Sequence, residues 1–398
     1  MPGPLSGITI VEIAGIGPAP FACMILADLG ATVIRIDRPV GPASDTPMED
    51  LLRNDSIVDR GRQSVALNLK DPRATEVVLR LVAKADILIE GFRPGVMEKL
   101  GLGPQVCLRR NPKLIFGRMT GWGQYGPLAQ TAGHDINYIA LSGALHGIGP
   151  KERPAVPLNL IGDYGGGGML LTVGVLAALQ HATRKGVGQV VDAAMTDGAA
   201  LLLAAQYGFL AKGVWQDQRE SNFLDGAAHF YGIYDCADGK HVAVGAIEPQ
   251  FYQKFLKLME IDDPSFQDQW DVSKWPDLRQ KLEAIFLQRT RDEWTSVFEG
   301  TDACVTPVLS LVEAAEHPHT RSRQTLSRTE LGIQPSPAPR FGVTLAEMPP
   351  HAPVIGSATL HWLEQAGLHE HEIQDLLAEQ VAHAAPHPGA PTGNQAQI

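Results

Sequence analysis

Cysteine is scarce in this chain of 398 residues: Cys23, Cys107, Cys236 and Cys304 are the only four, and no two are spaced as C-x-x-C. That sparsity argues against a disulfide scaffold and against zinc-finger spacing. No metal site is therefore expected, and a reducing, cytoplasmic compartment fits. Positive charge is also short. There are 33 Lys and Arg against 44 Asp and Glu, a formal net charge of −11, so nucleic-acid binding has no general electrostatic support. Long apolar runs are missing as well. The longest, Met169 to Leu179 and Ala199 to Ala205, fall short of the ~18 residues of a membrane span, read better as buried helices and predict no membrane partner. The N-terminus has no basic stretch, and Glu12 interrupts its first apolar segment, so it does not read as a signal peptide. G-x-S-x-G, H-E-x-x-H and P-loop patterns do not occur, which removes the usual support for serine hydrolases, zincins and P-loop nucleotide hydrolases.

What is present is an ordinary globular balance, 44% hydrophobic and 19% charged, long enough for two or three domains. Ile8 to Ala14 is a short apolar run that predicts a buried strand. Phe21 to Leu29 predicts a helix closed by Gly30, and Thr32 to Ile36 a second strand. The βαβ pattern recurs through a helix over 72–84, a strand over 87–90, a helix near 96–100 and a strand over 114–119, which implies a parallel α/β layer architecture. A strongly apolar helix over 169–181 follows the glycine run Gly165 to Gly168, then a strand over 189–194 and a helix over 198–212. Phe230 to Cys236 and His241 to Ala246 form a hairpin around Ala237-Asp238-Gly239-Lys240, with helices over 249–259 and 276–288 after it. The expected organisation is a Rossmann-like large domain (1–190), linker helices (191–224), a smaller α+β domain (225–330), a return segment to the large domain (331–383) and a disordered tail (384–398) rich in Ala, Pro, Gly and His.

Four segments carry chemistry, and each has a plainer alternative. Gly15-Ile16-Gly17-Pro18-Ala19-Pro20 follows the first strand as a dinucleotide fingerprint would, with Asp37 ending the second strand where a ribose-binding acid would sit. Pro20, however, replaces the third glycine, and the prolines suit a helix start. An anionic ligand needs a local basic site, and Arg35, Arg38, Arg60, Arg62, Lys70, Arg93 and Lys99 are available. Arg38, just past the second strand, could fork onto a phosphate or simply be solvated. Gly133-His134-Asp135-Ile136-Asn137-Tyr138 gathers an imidazole, a carboxylate, an amide and a phenol. Histidine is the residue type suited to moving protons near neutrality, and His134 would serve equally in a helix-capping turn. Asn159 to Gly168 (NLIGDYGGGG) offers Asp163, close backbone approach and a helix N-terminus beside a developing anion; alternatively Asp163 caps the helix and the glycines are for packing. Glu248, in Gly245-Ala246-Ile247-Glu248-Pro249-Gln250, could orient a histidine, though its place before a helix favours a cap.

Taken together, these segments resemble the α-methylacyl-CoA racemases of the family III CoA-transferase superfamily. The resemblance runs through PLSGITIVEIAGIGPAPFACMILADLGATVIRIDRP, EGFRPGVMEKLGLGP from Glu90, GRMTGWGQYGP from Gly117, AGHDINYIALSG from Ala132 and PLNLIGDYGGG from Pro157. It continues through GQVVDAAMTDG, the stretch from Asn222 to Tyr252 and GTDACVTPVL, to about residue 309. It implies His134 and Asp163 as the proton-transferring pair and Glu248 as support for the histidine. It implies CoA contacts at Arg38, at Leu67, Asn68, Leu69 and Lys70, at Gly91, Phe92 and Arg93, at Lys99, and at Gly133, His134, Asp135, Ile136, Asn137 and Tyr138. Asn68 stands where the family usually has aspartate, and Lys99 where it often has arginine. The implied assembly is an interlocked homodimer, with each active site between the large domain of one subunit and the small domain of the other. The implied reaction epimerises the carbon beside an acyl-CoA thioester through a planar enolate. His134 serves the (2S) face and Asp163 the (2R) face, with no cofactor beyond the CoA of the substrate. The alternative within the superfamily is a CoA transferase with Asp135 as nucleophile.

Overall fold

The computed structural model describes residues 3–39 and 57–385. Residues 40–56 and 386–398, and with them almost all of the expected tail, lie outside the described residues. Two compact units emerge: Met1–Ser142 with Leu158–Leu202 and Arg328–Ile398, and Gly143–Pro157 with Leu203–Ser327.

The first unit is built on β1 (Thr9–Ile13), α1 (Pro18–Asp28), β2 (Thr32–Asp37), β3 (Arg62–Leu67), α2 (Pro72–Val82), β4 (Ile87–Glu90), α3 (Val96–Lys99), α4 (Pro104–Arg110), β5 (Ile115–Thr120), α5 (Asp135–Leu141), a π-helix (Leu160–Met169), α6 (Leu170–Lys185), β6 (Gln189–Ala194) and α7 (Met195–Leu202). Its seven-stranded sheet begins with the short C-terminal strand Ala382–His383 and continues in the order β3, β2, β1, β4, β5, β6. All neighbours are parallel except the C-terminal strand against β3. Both faces of the sheet are covered, which is why the strands read as continuous apolar runs rather than alternating ones. Val11, Ile13, Ile34, Ile36, Leu88 and Phe116 pack with α2 on one face, and Ile10, Val33, Ile87, Ile89 and Ile115 pack with α1 and α6 on the other. Asp71 caps α2 by accepting the Arg73 N–H at 2.9 Å, with Pro72 in the first turn.

Three elements differ from the sequence reading. The strand β3 (RQSVAL) is not predicted by apolar pattern because its buried start is polar. Arg62 there pairs with Glu12 of β1 at 3.0 Å, with neither side chain exposed. The apolar helix does not begin after the glycines: it begins at Leu160 as a ten-residue π-helix and runs on through α6. Glycine is tolerated there because the turns pack backbone to backbone. A Cβ on Gly166 would meet Ala199 N at 2.6 Å, and one on Gly168 would meet the Pro18 carbonyl oxygen at 2.8 Å. The continuous helix Leu160–Lys185 is long and apolar enough to cross a membrane, with 39% of its most apolar window buried. Its contacts with α1, α7, β5 and β6 seat one side of it in the core, and much of its remaining apolar surface is exposed. Finally, the helix expected over 198–212 is two helices, α7 and α8 (Ala204–Ala211), interrupted at Leu203.

The second unit holds the hairpin read from sequence, β7 (Tyr231–Asp235) and β8 (His241–Gly245), paired antiparallel from Tyr231↔Gly245 to Asp235↔His241. The helices α9 (Pro249–Leu258), α10 (Trp275–Phe286) and α11 (Arg291–Phe298) follow, and β9 (Val305–Pro307) completes the sheet against β8. Its core is aromatic: Phe230, Tyr234, Tyr252, Phe255, Phe266, Trp275, Phe286, Trp294 and Phe298 are all buried. His229 lies wholly inside, 2.6 Å from the Tyr252 hydroxyl, which donates to the Phe266 carbonyl at 3.0 Å. Burial pushes His229 down to about 4, so it is a neutral core histidine that ties the start of α9 to the unit's interior.

Candidate active site

In an open parallel sheet the ligand crevice lies beyond the C-terminal ends of the strands, where the strand order reverses direction, here between β1 and β4. The residues singled out from sequence gather at those ends. Gly15 to Gly17 follow β1, Arg38 follows β2, Leu67 ends β3 with Asn68 to Lys70 beyond it, and Gly91 to Arg93 follow β4. Arg38, Asn68, Lys70, Gly91, Arg93 and Lys99 are exposed, Leu69 and Phe92 half-buried, and Leu67 buried. Asn68 holds its loop by accepting the Lys70 N–H at 3.2 Å. Glu90 accepts the Phe92 N–H at 2.7 Å.

The seven basic residues divide cleanly. Arg60 is tied to Asp28, and Arg62 to Glu12. Arg35 contacts Asp37 at 3.0 Å and Asp59 at 2.8 Å. These three are buried structural cations, not ligand contacts. Arg38, Lys70, Arg93 and Lys99 stay exposed. The fate of Asp37 also disposes of the dinucleotide reading: it is buried, and besides Arg35 it accepts the Ser64 hydroxyl at 2.5 Å, so it is not free to bind a ribose.

The start of α5 is shaped by two rings. Trp122 and Tyr138 meet edge to face at 4.7 Å, and the Tyr138 hydroxyl donates to the Gly133 carbonyl. A Cβ at Gly133 would stand 2.7 Å from Tyr138 and 3.0 Å from Trp122, so only glycine fits. His134 is the N-cap residue, exposed, and its backbone N–H donates to Asn137 Oδ1 at 3.0 Å. Ile136 is partly exposed on the same turn, at 40%. Asp135 turns inward, 6% exposed, and its Oδ2 accepts the Asp163 N–H at 2.7 Å.

Asp163 therefore does not cap a helix. It lies inside the π-helix, a geometry that recurs at functional sites, and Asn159 Nδ2 donates to its Oδ2 at 3.2 Å. Gly17 borders the same carboxyl: a Cβ there would stand 3.5 Å from Asp163 Oδ2. Phe21 stacks on Tyr164 at 4.4 Å, fixing the next turn against α1. Burial, and after it the negative charge of Asp135, push the Asp163 carboxyl above its ordinary range, while the Asn159 hydrogen bond and His134 pull it down. Burial likewise pushes the Tyr138 phenol up, with Asp163 adding and Arg93 opposing. An imidazole and an acid with raised proton affinity thus stand within electrostatic reach of each other.

Raised proton affinity has a stability consequence. The folded chain holds the Asp163 proton more tightly than the unfolded chain, so folding loses stability as pH rises from the unfolded value through the folded one. Asp163→Asn removes that loss. The variant should melt at a higher temperature than wild type at pH 8, and the difference should shrink on acidification toward pH 4; thermal melts at a series of pH values read this directly.

Glu248 belongs to the second unit. It occupies the N-cap position of α9, yet its side chain makes no capping bond, and it is exposed. The cap favoured by the sequence pattern is therefore formed by backbone only, and the carboxylate is uncommitted by it. Sequence reasoning missed Gly17 and Asn159 as neighbours of Asp163. It also missed a cavity of about 430 Å³ beside α5, lined by Trp122, Ala132, Asn137, Ala140 and Leu141. In the sequence Gly17 reads only as part of a nucleotide loop, and Asn159 sits one helical turn before Asp163, a spacing that signals the contact. Among the described residues no three His, Cys, Asp or Glu side chains gather as metal ligands would.

The family model for CoA-transferase family III matches residues 5–359. The chain belongs to CoA-transferase family III. Within that family, it is 42% identical over 381 residues to the α-methylacyl-CoA racemase of Homo sapiens, covering 95% of this chain and 97% of that one. The Mus musculus racemase is 43% identical over 382 residues, with the same coverage. The Rv3272 protein of Mycobacterium tuberculosis, named a probable fatty acyl-CoA transferase, is 32% identical over 326 residues, 76% of this chain and 82% of that one. A crystal structure of Rv3272 matches with a TM-score of 0.75 and 28% identity, covering 91% of this chain and 100% of that one.

Proposed function

We propose that this family III protein is an α-methylacyl-CoA racemase that inverts the 2-methyl centre of acyl-CoA thioesters by 1,1-proton transfer. The observation that carries the reading is the pairing of exposed His134 with Asp163, whose carboxyl is biased toward its protonated form. Inversion at a carbon beside a thioester needs a base on one face and an acid on the other. One proton held between the imidazole and the carboxyl meets that need, and the protons of such a couple titrate jointly. His134 takes the α-proton of the (2S) substrate while Asp163 protonates the enolate from the opposite face; the (2R) substrate reverses the roles. The enolate oxygen needs preplaced donors, and the backbone N–H groups at the start of α5 stand beside His134 to serve it. CoA lies along the strand ends, with Arg38, Lys70, Arg93 and Lys99 toward its phosphates, in a Rossmann-like domain. The medium is the cytoplasm, and no cofactor beyond the CoA of the substrate is required.

The same reading makes the protein a homodimer in which Glu248 of each subunit supports His134 of the other. Its uncommitted side chain supports this. So does the exposed apolar edge of the long helix, at Leu160, Met169 and Val173, 51–64% exposed.

The CoA-transferase alternative requires Asp135 to attack an acyl-CoA, forming an anhydride and then a thioester on its own carboxylate. Against it, Asp135 Oδ1 is buried and Oδ2 is held by the Asp163 N–H. Intact-protein mass spectrometry after incubation with a 2-methylacyl-CoA should therefore show the unmodified mass, with the recovered thioester racemised. An acyl or CoA adduct on Asp135 would establish the transferase instead.

A further inference from the structure

We propose that Asp135 is a positioning residue for Asp163: its buried carboxylate anchors the Asp163 peptide within the π-helix and stands beside the carboxyl that must carry a proton. The inference rests on the racemase reading and assigns the residue that prepares one of its two acids.

The geometry is specific. Asp135 is 6% exposed, and its Oδ2 accepts the Asp163 N–H at 2.7 Å. A buried carboxylate bonded to an amide N–H is a charge-assisted bond, stronger than a neutral one. Asp135 Oδ1 has no solvent access and no hydrogen-bond partner. A buried carboxylate oxygen left unsatisfied is costly, so the contact of Oδ2 with the Asp163 peptide is kept against a cost. The packing closes around this contact. A Cβ on Gly162 would stand 2.5 Å from Asp135 Oδ2 and 3.2 Å from its Cα, so glycine at 162 is what allows the carboxylate to reach the peptide.

The charges facing Asp163 are few. Of the elements packed against the π-helix, α5 brings Asp135 and His134, with opposite effects. Tyr138, on the same helix, is neutral in this range because burial pushes its phenol up. The α1 side presents Gly17, and Asn159 supplies a neutral donor. The helix α7 carries Asp197, and the strands β5 and β6 carry Arg118 and Asp192, none of which is among the charges that move the Asp163 carboxyl. Of the groups that move the Asp163 carboxyl, Asp135 is the one that raises it by charge, and so favours its acid form.

Two variants test this by different routes. Asp135→Asn keeps an oxygen able to accept the Asp163 N–H and removes the charge. Gly162→Ala leaves both acids chemically intact and displaces the Asp135 carboxylate by a methyl group. The readout is the pH profile of kcat/KM for racemisation, measured beside wild type. The acid limb of the profile should move to lower pH by about one pH unit in Asp135→Asn. The basic limb should hardly move, and the plateau rate should fall. Gly162→Ala should move the acid limb in the same direction. By the equilibrium constraint, the shift must be the same from either enantiomer. A folded Asp135→Asn with reduced rate and an unmoved acid limb would reduce Asp135 to a packing residue and overturn the inference; should that variant not fold, an unmoved limb in Gly162→Ala overturns it equally. Failure of the wild type to racemise at all would take down the racemase reading with it, and so is distinguishable.

Discussion

His134→Ala should lower interconversion of the two enantiomers of a 2-methylacyl-CoA by about 10²–10⁴-fold, the range that positioned acid–base groups supply, in both directions alike. The equality is forced: the ratio of forward to reverse kcat/KM equals the equilibrium constant whatever residue is lost. The two faces separate only in solvent exchange. With His134 gone, Asp163 can still remove and return the proton on its own face, so the variant should wash deuterium into one enantiomer with retention while inverting neither. The fold should survive, because the His134 ring is exposed and its structural bonds to the capping turn are backbone bonds to Asn137. Circular dichroism and a thermal melt like those of wild type, beside the lost inversion, distinguish a chemical role from a structural one.

The largest effect expected on stability is Arg62→Met. Arg62 joins β3 to β1 through Glu12 at 3.0 Å, both side chains fully buried, and it also donates to the carbonyls of Val58 and Arg60 at 2.8 Å and to that of Pro20. Removing one partner leaves Glu12 charged and unpaired in the core, a change that costs about 3–5 kcal/mol. At the scaling of a unit this size, that lowers the melting temperature by on the order of 10 °C. The double variant Arg62→Met/Glu12→Leu should recover much of the loss, because an apolar replacement removes the buried charge as well. Arg73→Met is the contrast. Arg73 meets Asp71 and Glu379 at 2.8 Å with 44% of its side chain exposed, and its loss should cost no more than about 1 kcal/mol. Thermal or denaturant unfolding of all four proteins checks the ordering.

These two experiments mark where the sequence was informative and where it was not. The βαβ repeats were legible because strands covered on both faces are apolar throughout: β1, β2, β4 and β5 fall within a residue or two of their predicted spans. β3 was not, since its burial is bought by an ion pair rather than by apolar residues. The helix start at Leu160 was hidden for a related reason. Isolated glycines disfavour a helix, and only the close packing of Gly166 and Gly168 on α7 and α1 makes one there. Of the site, His134, Asp135 and Asp163 were marked by residue type and neighbourhood. The link between them was not: the Asp135 carboxylate bonding the Asp163 peptide joins positions 28 residues apart, and no local pattern encodes it. The basic residues show the same limit. Sequence offered seven, and the fold chose between them by burying three beside acids that, Asp37 apart, lie far along the chain.

The account rests on proton transfer at two faces of one carbon, and α-proton exchange measures that directly. Each enantiomer of a 2-methylacyl-CoA is incubated with wild type in D₂O and followed by proton NMR. The account predicts loss of the α-proton signal together with appearance of the opposite enantiomer from either starting material, through His134 from the (2S) side and Asp163 from the (2R) side. An α-proton that stays in place while CoA passes to an added carboxylate would contradict it and turn attention to Asp135 as a nucleophile.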